Sequence, residues 1–514
     1  MRRWNSYIEI IYFPLEVLYI STLLLGFTGL LLGTNIQIIF NLDQVILLRI
    51  LDMVRFLSAL LIQYFPILFL LRGVYRRHED GLVVVAGLLG YVSFHVGTAF
   101  FIPSNMVSEA YGSILGIVAP ASMLRTVTSG SLTALQTGLP GAILVLLITR
   151  LVVERFKKRS TYSLFSFVDK NVSVVFGTLF LSLLAGILAA LMAPYLVGLL
   201  QSMFTMIATN LNNPVNLFVY GILDRVLSVF GYSSWMHQQF WFNTLGGSWS
   251  DAFGTVYLGD VGMWTGQLAQ SISGFGTGKL ITPYYILNIF AVPAFILAAY
   301  QTYTDKIVRS RLLIFVVVSV VASMMFGTLL PIEIFILFTT PLLFVFHLFM
   351  SGLLFALLNA FGVAIGYTFS ASVLVATPGS LLDLLVLMRN PLYQRSLTIL
   401  LFAGLMTSLI YYAVSTYYYR MGAMNLINPS QQETLIAELM ESIGGIENIK
   451  LVNASVGKII IQVNNRELVD FKKIHHRVSK IVETKAGYAL SYGASSYMLW
   501  NEIKAQQESL AKSA

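Results

Sequence analysis

The chain has 514 residues, 57% of them hydrophobic and 11% charged, with a mean hydropathy of +0.77 and a formal charge of +8. That balance is too apolar for a water-soluble protein of this length, so lipid must be the solvent for most of the chain. Lys and Arg fall in short clusters between apolar runs, a pattern of membrane topology and not of a nucleic-acid groove, and the lack of cysteine excludes disulfides, thiolate chemistry and Cys-based metal sites.

Apolar runs able to cross a bilayer at about 20 residues each recur from Phe13 to near Tyr417, as at 18–32, 81–101 and 135–148. They are expected to span as helices, because lipid cannot satisfy open backbone groups. The first run follows Arg2 and Arg3 and continues to Leu32 without a small-residue cleavage site, so it reads as a retained span. Three basic clusters follow at two-span intervals: Arg2 and Arg3; Arg72, Arg76 and Arg77; and Arg150, Arg155, Lys157, Lys158 and Arg159. The positive-inside rule places them in the cytoplasm, with Lys306, Arg309, Arg311 and Arg420 on the same side. Arg389 and Arg395 break the rule, and are assigned to the outside or to a partly buried loop. Breaks near Pro214, Gly246-Gly247 and Pro331 mark where a substrate site would be sought, since irregular backbone at membrane depth must be buried or line a cavity.

From Asn425 onward charge becomes frequent. The division expected is a membrane domain over 1–424, a linker over 425–430 and a small cytoplasmic α+β domain over 431–514. Leu435, Leu439 and Ile443 have helical spacing, with Ser430 as N-cap and Gly444-Gly445 as the stop. Residues 449–451 and the β-branched 458–463 read as strands with a turn at Asn464-Asn465, 471–484 reads as a helix, and 488–492 as a last short strand.

Ordered blocks along the chain resemble the glucose-type sugar permeases of the bacterial phosphotransferase system (PTS), an enzyme IIC (EIIC) followed by an enzyme IIB (EIIB). Gly327-Thr328-Leu329-Leu330-Pro331-Ile332-Glu333 is similar to that family's G-I-T-E-P-I-E, and Pro341-Leu342-Leu343-Phe344 with His347 to its P-L-L-Y-x-x-H, continued by Gly366 to Ser370. Tyr220-Gly221 through Asp224-Arg225, then Phe230-Gly231 and Phe240-Trp241-Phe242, resemble Y-G-x-x-E-R, F-G-L-H-H and F-W-F. Gly278-Lys279 with Pro293-Ala294 through Tyr300 resembles G-K-F-P and L-P-A-A-x-A-x-Y, and the block 112–116 with Thr137-Gly138 its G-I-L-G and T-G. Gly444 to Ile449 looks like the helix end before the phosphorylation strand of enzyme IIB. The resemblance runs from about residue 60 to about residue 495.

The resemblance implies a polytopic α-helical fold of about ten transmembrane helices with re-entrant hairpins around Ser233 and Glu333, an alternating-access homodimer in the inner membrane, and a cytoplasmic N-terminus and C-terminal domain. It implies a sugar of the glucose, maltose or N-acetylglucosamine class, PTS phosphocarrier proteins and the lipid bilayer as partners, and no cofactor, metal or nucleic acid. Glu333, Arg225, His347 and Lys279 fall at substrate-binding positions. Family members are protein-phosphohistidine–sugar phosphotransferases that pass phosphate to a cysteine thiolate of IIB and then to the sugar.

Here the phosphorelay positions have changed. The cysteine position falls at Ser455, a poor nucleophile without an adjacent base, and Lys458 alone stands where two arginines would grip phosphate. The His-His pair falls at Ser233 and Ser234 and the acid of T-E-P at Leu330, none of which titrates near neutral pH. No catalytic residue is intact, so the expectation is a permease that binds or moves sugar without phosphorylating it. The alternatives are a non-transporting sugar sensor or regulator, and an active phosphotransferase using non-standard residues.

Individual side chains also admit plainer readings. Glu333 is either a functional intramembrane carboxyl or a structural one capping a broken helix. Asp224 and Arg225 suit a ligand or an interfacial anchor. His95 and His347 read as packed, hydrogen-bonded histidines, and His237 substitutes for the lost pair only if the register slips. Trp235, Phe240, Trp241 and Phe242 suit a sugar platform or a membrane interface, and His475-His476 a solvated face.

Overall fold

The computed structural model describes the chain except residues 1, 34–36, 39–40, 42–43, 103–112, 115–116, 119–134, 136, 158–169, 271, 273–275, 304–305, 368–378, 422–428, 456, 476, 479, 485–486, 494 and 514. The Gly112–Gly116 and Gly366–Ser370 resemblance blocks, the expected linker at 425–430, Lys158, Arg159 and His476 thus lie wholly or partly outside the described residues.

The membrane part opens with α1 (Arg2–Leu31), α2 (Val45–Gln63), α3 (Phe65–His78), α4 (Gly81–Phe101), the paired short strands β1 (Ser113–Ile114) and β2 (Ile117–Val118), α5 (Gly138–Lys157) and α6 (Lys170–Ala208). Next come α7 (Pro214–Phe230), α8 (Ser233–Trp241), a hairpin pairing β3 (Ser248–Ser250) with β4 (Val256–Leu258), α9 (Gly259–Ala269) and α10 (Thr282–Thr302). The last are α11 (Lys306–Val320), α12 (Leu330–Thr339), α13 (Pro341–Ala360), α14 (Leu381–Leu387) and α15 (Gln394–Arg420). Among the described residues six helical segments are long and apolar enough to cross a bilayer, within α1, α4, α6, α10, α13 and α15. Against the expected ten or so, the other helices are shorter or carry charge. The run at 135–148 lies largely in α5, which ends in the basic cluster Arg150, Arg155 and Lys157.

Lipid dictates how α6 is painted. Phe176, Phe180, Leu184, Leu188 and Leu191 stand exposed along one face at near-helical spacing, the inverse of a soluble helix. Its opposite face meets α4 through small residues. A Cβ on Gly186 would strike the Phe94 backbone, and one on Gly97 would press on the Leu183 carbonyl. Without a hydrophobic drive between helices in lipid, such close backbone approach supplies the van der Waals contact that holds them.

The same device sets α7 against α13. A Cβ on Gly221 would lie 3.0 Å from Gly352 Cα, so the two axes approach where these glycines face each other. Asn213 caps α7, accepting from the Val215 amide at 3.0 Å, with Pro214 at the first turn, and Gly231 ends it at φ 87°. Two π turns, Leu287–Ala291 within α10 and Val321–Met325 after α11, are tied where Ser323 Oγ donates to Asn288 O at 2.7 Å. Such turns bulge a helix locally, here beside the start of α12.

The C-terminal unit has α16 (Pro429–Ile443), strands β5 (Ile449–Ser455), β6 (Lys458–Val463), β7 (Ile481–Thr484) and β8 (Gly487–Leu490), and α17 (Ser496–Ser513). Its antiparallel sheet has the order β5-β6-β8-β7. Leu435, Leu439, Ile443, Ile459, Ile461, Leu490, Leu499 and Ile503 form its core. The first helix and β6 match expectation, with Pro429 rather than Ser430 at the helix start, and Gly444 (φ 84°) closes it. The helix expected over 471–484 is instead a 3-10 turn, Phe471–Ile474, followed by β7. Apolar spacing of Phe471, Ile474, Val478 and Ile481 suits a helix, but β-branched Ile481-Val482 gains more by pairing with β8. The last strand begins and ends earlier than expected, and α17 was not anticipated.

This unit contacts the membrane part. Gly457 N–H donates to Arg420 O at 3.1 Å, Tyr303 and Gly493 form an isolated antiparallel bridge, and Met498 packs on Tyr303 and Leu312.

Candidate functional site

Four buried charged or histidine side chains, Asp224, Arg225, Glu333 and His347, meet in one cluster. Arg225, on the fourth turn of α7, sits one turn beyond Gly221, where the close approach to α13 turns it toward α12 and α13. Its Nη1 donates to Glu333 Oε1 at 3.0 Å, its Nε and Nη2 donate to Asp224 Oδ2 at 3.0 and 2.5 Å, and its Nη2 also reaches Tyr284 Oη at 2.6 Å. The guanidinium lies 4.6 Å over the Tyr284 ring, an additional cation–π contact. Glu333 lies in the first turn of α12, where the helix dipole favours an anion. It accepts from Ser228 Oγ at 3.1 Å and lies 3.3 Å from His347 Nε2, whose Nδ1 is 2.9 Å from Tyr411 Oη.

Asp224 extends the cluster the other way. Tyr284 Oη donates to its Oδ2 at 2.6 Å, and His237 Nε2 lies 2.7 Å from its Oδ1. The His237 ring stacks on Trp241 with centroids 3.8 Å apart and planes at 8°, and Trp241 Nε1 donates to Tyr220 Oη at 3.0 Å. The result is a largely buried polar core with an aromatic wall. Asp224, Arg225, Glu333 and His347 are at most 3% exposed and His237 is 20% exposed. Burying two carboxylates is tolerable only because each is paired and hydrogen-bonded. Chemically, the arrangement offers charged donors and acceptors for hydroxyl groups and an aromatic face for an apolar ring surface.

Arg225, Glu333 and His347 therefore meet. Lys279 does not join them: its Nζ donates to Asn212 Oδ1 at 2.8 Å, in the turn before α7. Ser233 opens α8, partly buried, and Leu330 opens α12; neither hydrogen-bonds into the cluster. Ser455 is exposed at the end of β5, opposite Lys458. His95 is packed, with Nδ1 2.9 Å from Tyr91 O and Nε2 3.0 Å from Thr137 Oγ1, as read from sequence. His475 is exposed, but its neighbour Arg477 is buried in an ion pair with Glu438, so that face is only partly solvated.

Tyr284, Ser228 and Tyr411 were not singled out in the sequence. From the sequence His237 enters only as a neighbour of Ser233 and Ser234 that would replace them if the register slips; the structure brings it to Asp224 instead. A separate groove of about 530 Å³, lined by Thr205, Thr209, Asn210, Leu211, Thr244 and Leu245 among others, contains none of the cluster residues.

The family model for the phosphotransferase system, EIIC, matches residues 8–352. The chain belongs to the PTS EIIC family. It is therefore a multi-pass membrane protein of the sugar-permease type, with sugar as its substrate class and PTS proteins as partners in general. The EIIC match contains α7, α8, α10, α12 and most of α13, and so all five charged or histidine members of the cluster, Asp224, Arg225, His237, Glu333 and His347.

Proposed function

We propose that this EIIC protein binds a sugar of the glucose, maltose or N-acetylglucosamine class at the Arg225–Glu333 cluster and moves it across the inner membrane without phosphorylating it. The observation that carries the reading is the buried contact of Arg225 with both Asp224 and Glu333. Intramembrane ion pairs are expensive and are kept where a polar substrate must pass. Supporting the loss of phosphotransfer are the lack of any cysteine and the exposed setting of Ser455, a hydroxyl whose opposite residue in the ladder is Lys458 rather than a base. Residues 1–424 form the permease, 425–430 the linker and 431–514 an EIIB-like domain in the cytoplasm, and the protein acts as a homodimer. His347 orients Glu333, while Lys279 holds the Asn212 turn and contacts sugar only when that turn opens.

A regulatory reading draws support from the seam at Tyr303–Gly493 and Arg420–Gly457, through which a degenerate EIIB-like domain would report occupancy. The deciding experiment is uptake of labelled glucose, maltose and N-acetylglucosamine into proteoliposomes, with and without phosphoenolpyruvate and the general PTS proteins. Free sugar inside, indifferent to phosphoenolpyruvate, is expected. Sugar phosphate inside would overturn the reading, and no uptake would favour the regulator.

A further inference from the structure

The cluster has a charge imbalance: two buried carboxylates, Asp224 and Glu333, share the single guanidinium of Arg225. Among the described residues no other Lys or Arg contacts either of them. The groups facing His237 are Asp224 from α7, Tyr284 from α10 and Trp241 on its own helix. Behind them stand Arg225, Tyr220, Glu333 on α12, His347 on α13 and Tyr411 on α15. The next carboxylate, Asp260 at the start of α9, accepts from the Gly278 and Leu280 amides at 2.9 Å and has Lys279 beside it.

Among the five members Asp224, Arg225, His237, Glu333 and His347, His237 is the one with contact to the outside, 20% exposed against 3% or less for the other four. With Nε2–H donated to Asp224, its Nδ1 has no hydrogen bond to a described residue and is left as an acceptor. A sugar hydroxyl that accepts from Arg225 competes directly with one of the two carboxylates. That carboxylate, left in a low-dielectric interior, raises the cost of the excess negative charge, and one proton on His237 removes it.

We propose that sugar and proton move together, with the Asp224–His237 pair as the proton site: a proton from water adds to His237 Nδ1, Nε2–H stays with Asp224, and the proton leaves from Nδ1 when the sugar departs. The inference rests on the cluster being the sugar site of a permease. Linkage makes the effect reciprocal, so sugar binding promotes proton binding and the converse.

The test uses the full chain in liposomes containing a pH-sensitive dye, with the membrane potential clamped by potassium and valinomycin, and labelled glucose, maltose and N-acetylglucosamine as probes. Counterflow is measured first, then internal acidification during downhill influx, then accumulation under a gradient one pH unit alkaline inside. Acidification tracking influx, with accumulation of about ten-fold for one proton per sugar, is expected. In His237→Gln the proton-to-sugar ratio should fall toward zero on whatever flux remains. Counterflow without acidification would overturn the coupling and leave the permease reading standing; no counterflow would sink both. An unchanged ratio in His237→Gln would overturn the assignment to His237. The wild-type measurements decide the coupling even if that variant fails to fold.

Discussion

Arg225 and Glu333, 108 residues apart in the chain, meet with Nη1 and Oε1 at 3.0 Å inside the membrane part, both almost fully buried. The contact joins α7 to α12 and makes the two halves of the cluster one unit. Arg225→Ala would leave Asp224 and Glu333 without their guanidinium. A loss of about 3–5 kcal/mol is expected, as when one partner of a buried pair is removed, read as a lower thermal midpoint of the detergent-solubilised protein. A drop under about 1 kcal/mol, the scale of surface pairs, would mean that the pair is not buried in solution.

Glu333→Gln keeps the shape and an acceptor for Arg225 but removes the charge. If this carboxylate grips sugar hydroxyls, the substitution should abolish sugar-induced thermal stabilisation while leaving expression intact, since a ligand stabilises only through its affinity for the folded state. Undiminished stabilisation would place the sugar elsewhere, with the groove beside Thr209 and Thr244 as the next candidate.

Ser455 is exposed opposite Lys458, so Ser455→Ala should change sugar uptake by less than about two-fold, the scale of a surface substitution. Phosphate label supplied through phosphoenolpyruvate and the general PTS proteins should not appear on the chain. Label lost specifically in Ser455→Ala would show that the hydroxyl carries phosphate after all.

The crossing of α4 and α6 makes a steric prediction. Gly186→Leu directs a side chain into the Phe94 backbone, and an overpacked contact costs about 1–3 kcal/mol or more. Reduced yield of folded protein and a lower thermal midpoint are expected, with Gly198→Leu, where an added Cβ meets nothing within 4 Å, as the neutral control.

The seam between the C-terminal unit and the membrane part can be read at one amide, because Gly457 N–H donates to Arg420 O. Met498→Glu places a charge against Tyr303 and Leu312. Faster hydrogen exchange at Gly457 than at the β6 amides is expected, reporting local opening rather than global unfolding. Equal acceleration of both would mean that the substitution unfolds the unit as a whole.

Much of this was legible in the residues. Long apolar runs can only be helices in lipid, so the membrane class, α4 as a span and the change of character after Asn425 follow from composition and period. Gly444-Gly445 announces a helix end because only glycine takes those backbone angles cheaply. Glu333 and Arg225 stood out because charge in an apolar stretch is costly wherever the chain folds.

The rest depends on which segments meet. Nothing in the spacing of 471–484 reveals that a partner strand lies beside Ile481-Val482, so helical periodicity gave the wrong element there. Tyr284, Ser228 and Tyr411 are ordinary residues of apolar helices until α10, α7 and α15 are brought against Asp224, Glu333 and His347. The pairing of His237 with Asp224 follows from α8 folding back on α7 after Gly231. Local sequence fixes periodicity and the cost of each charge, whereas the partner that offsets that charge comes from a helix distant in sequence and is chosen by packing.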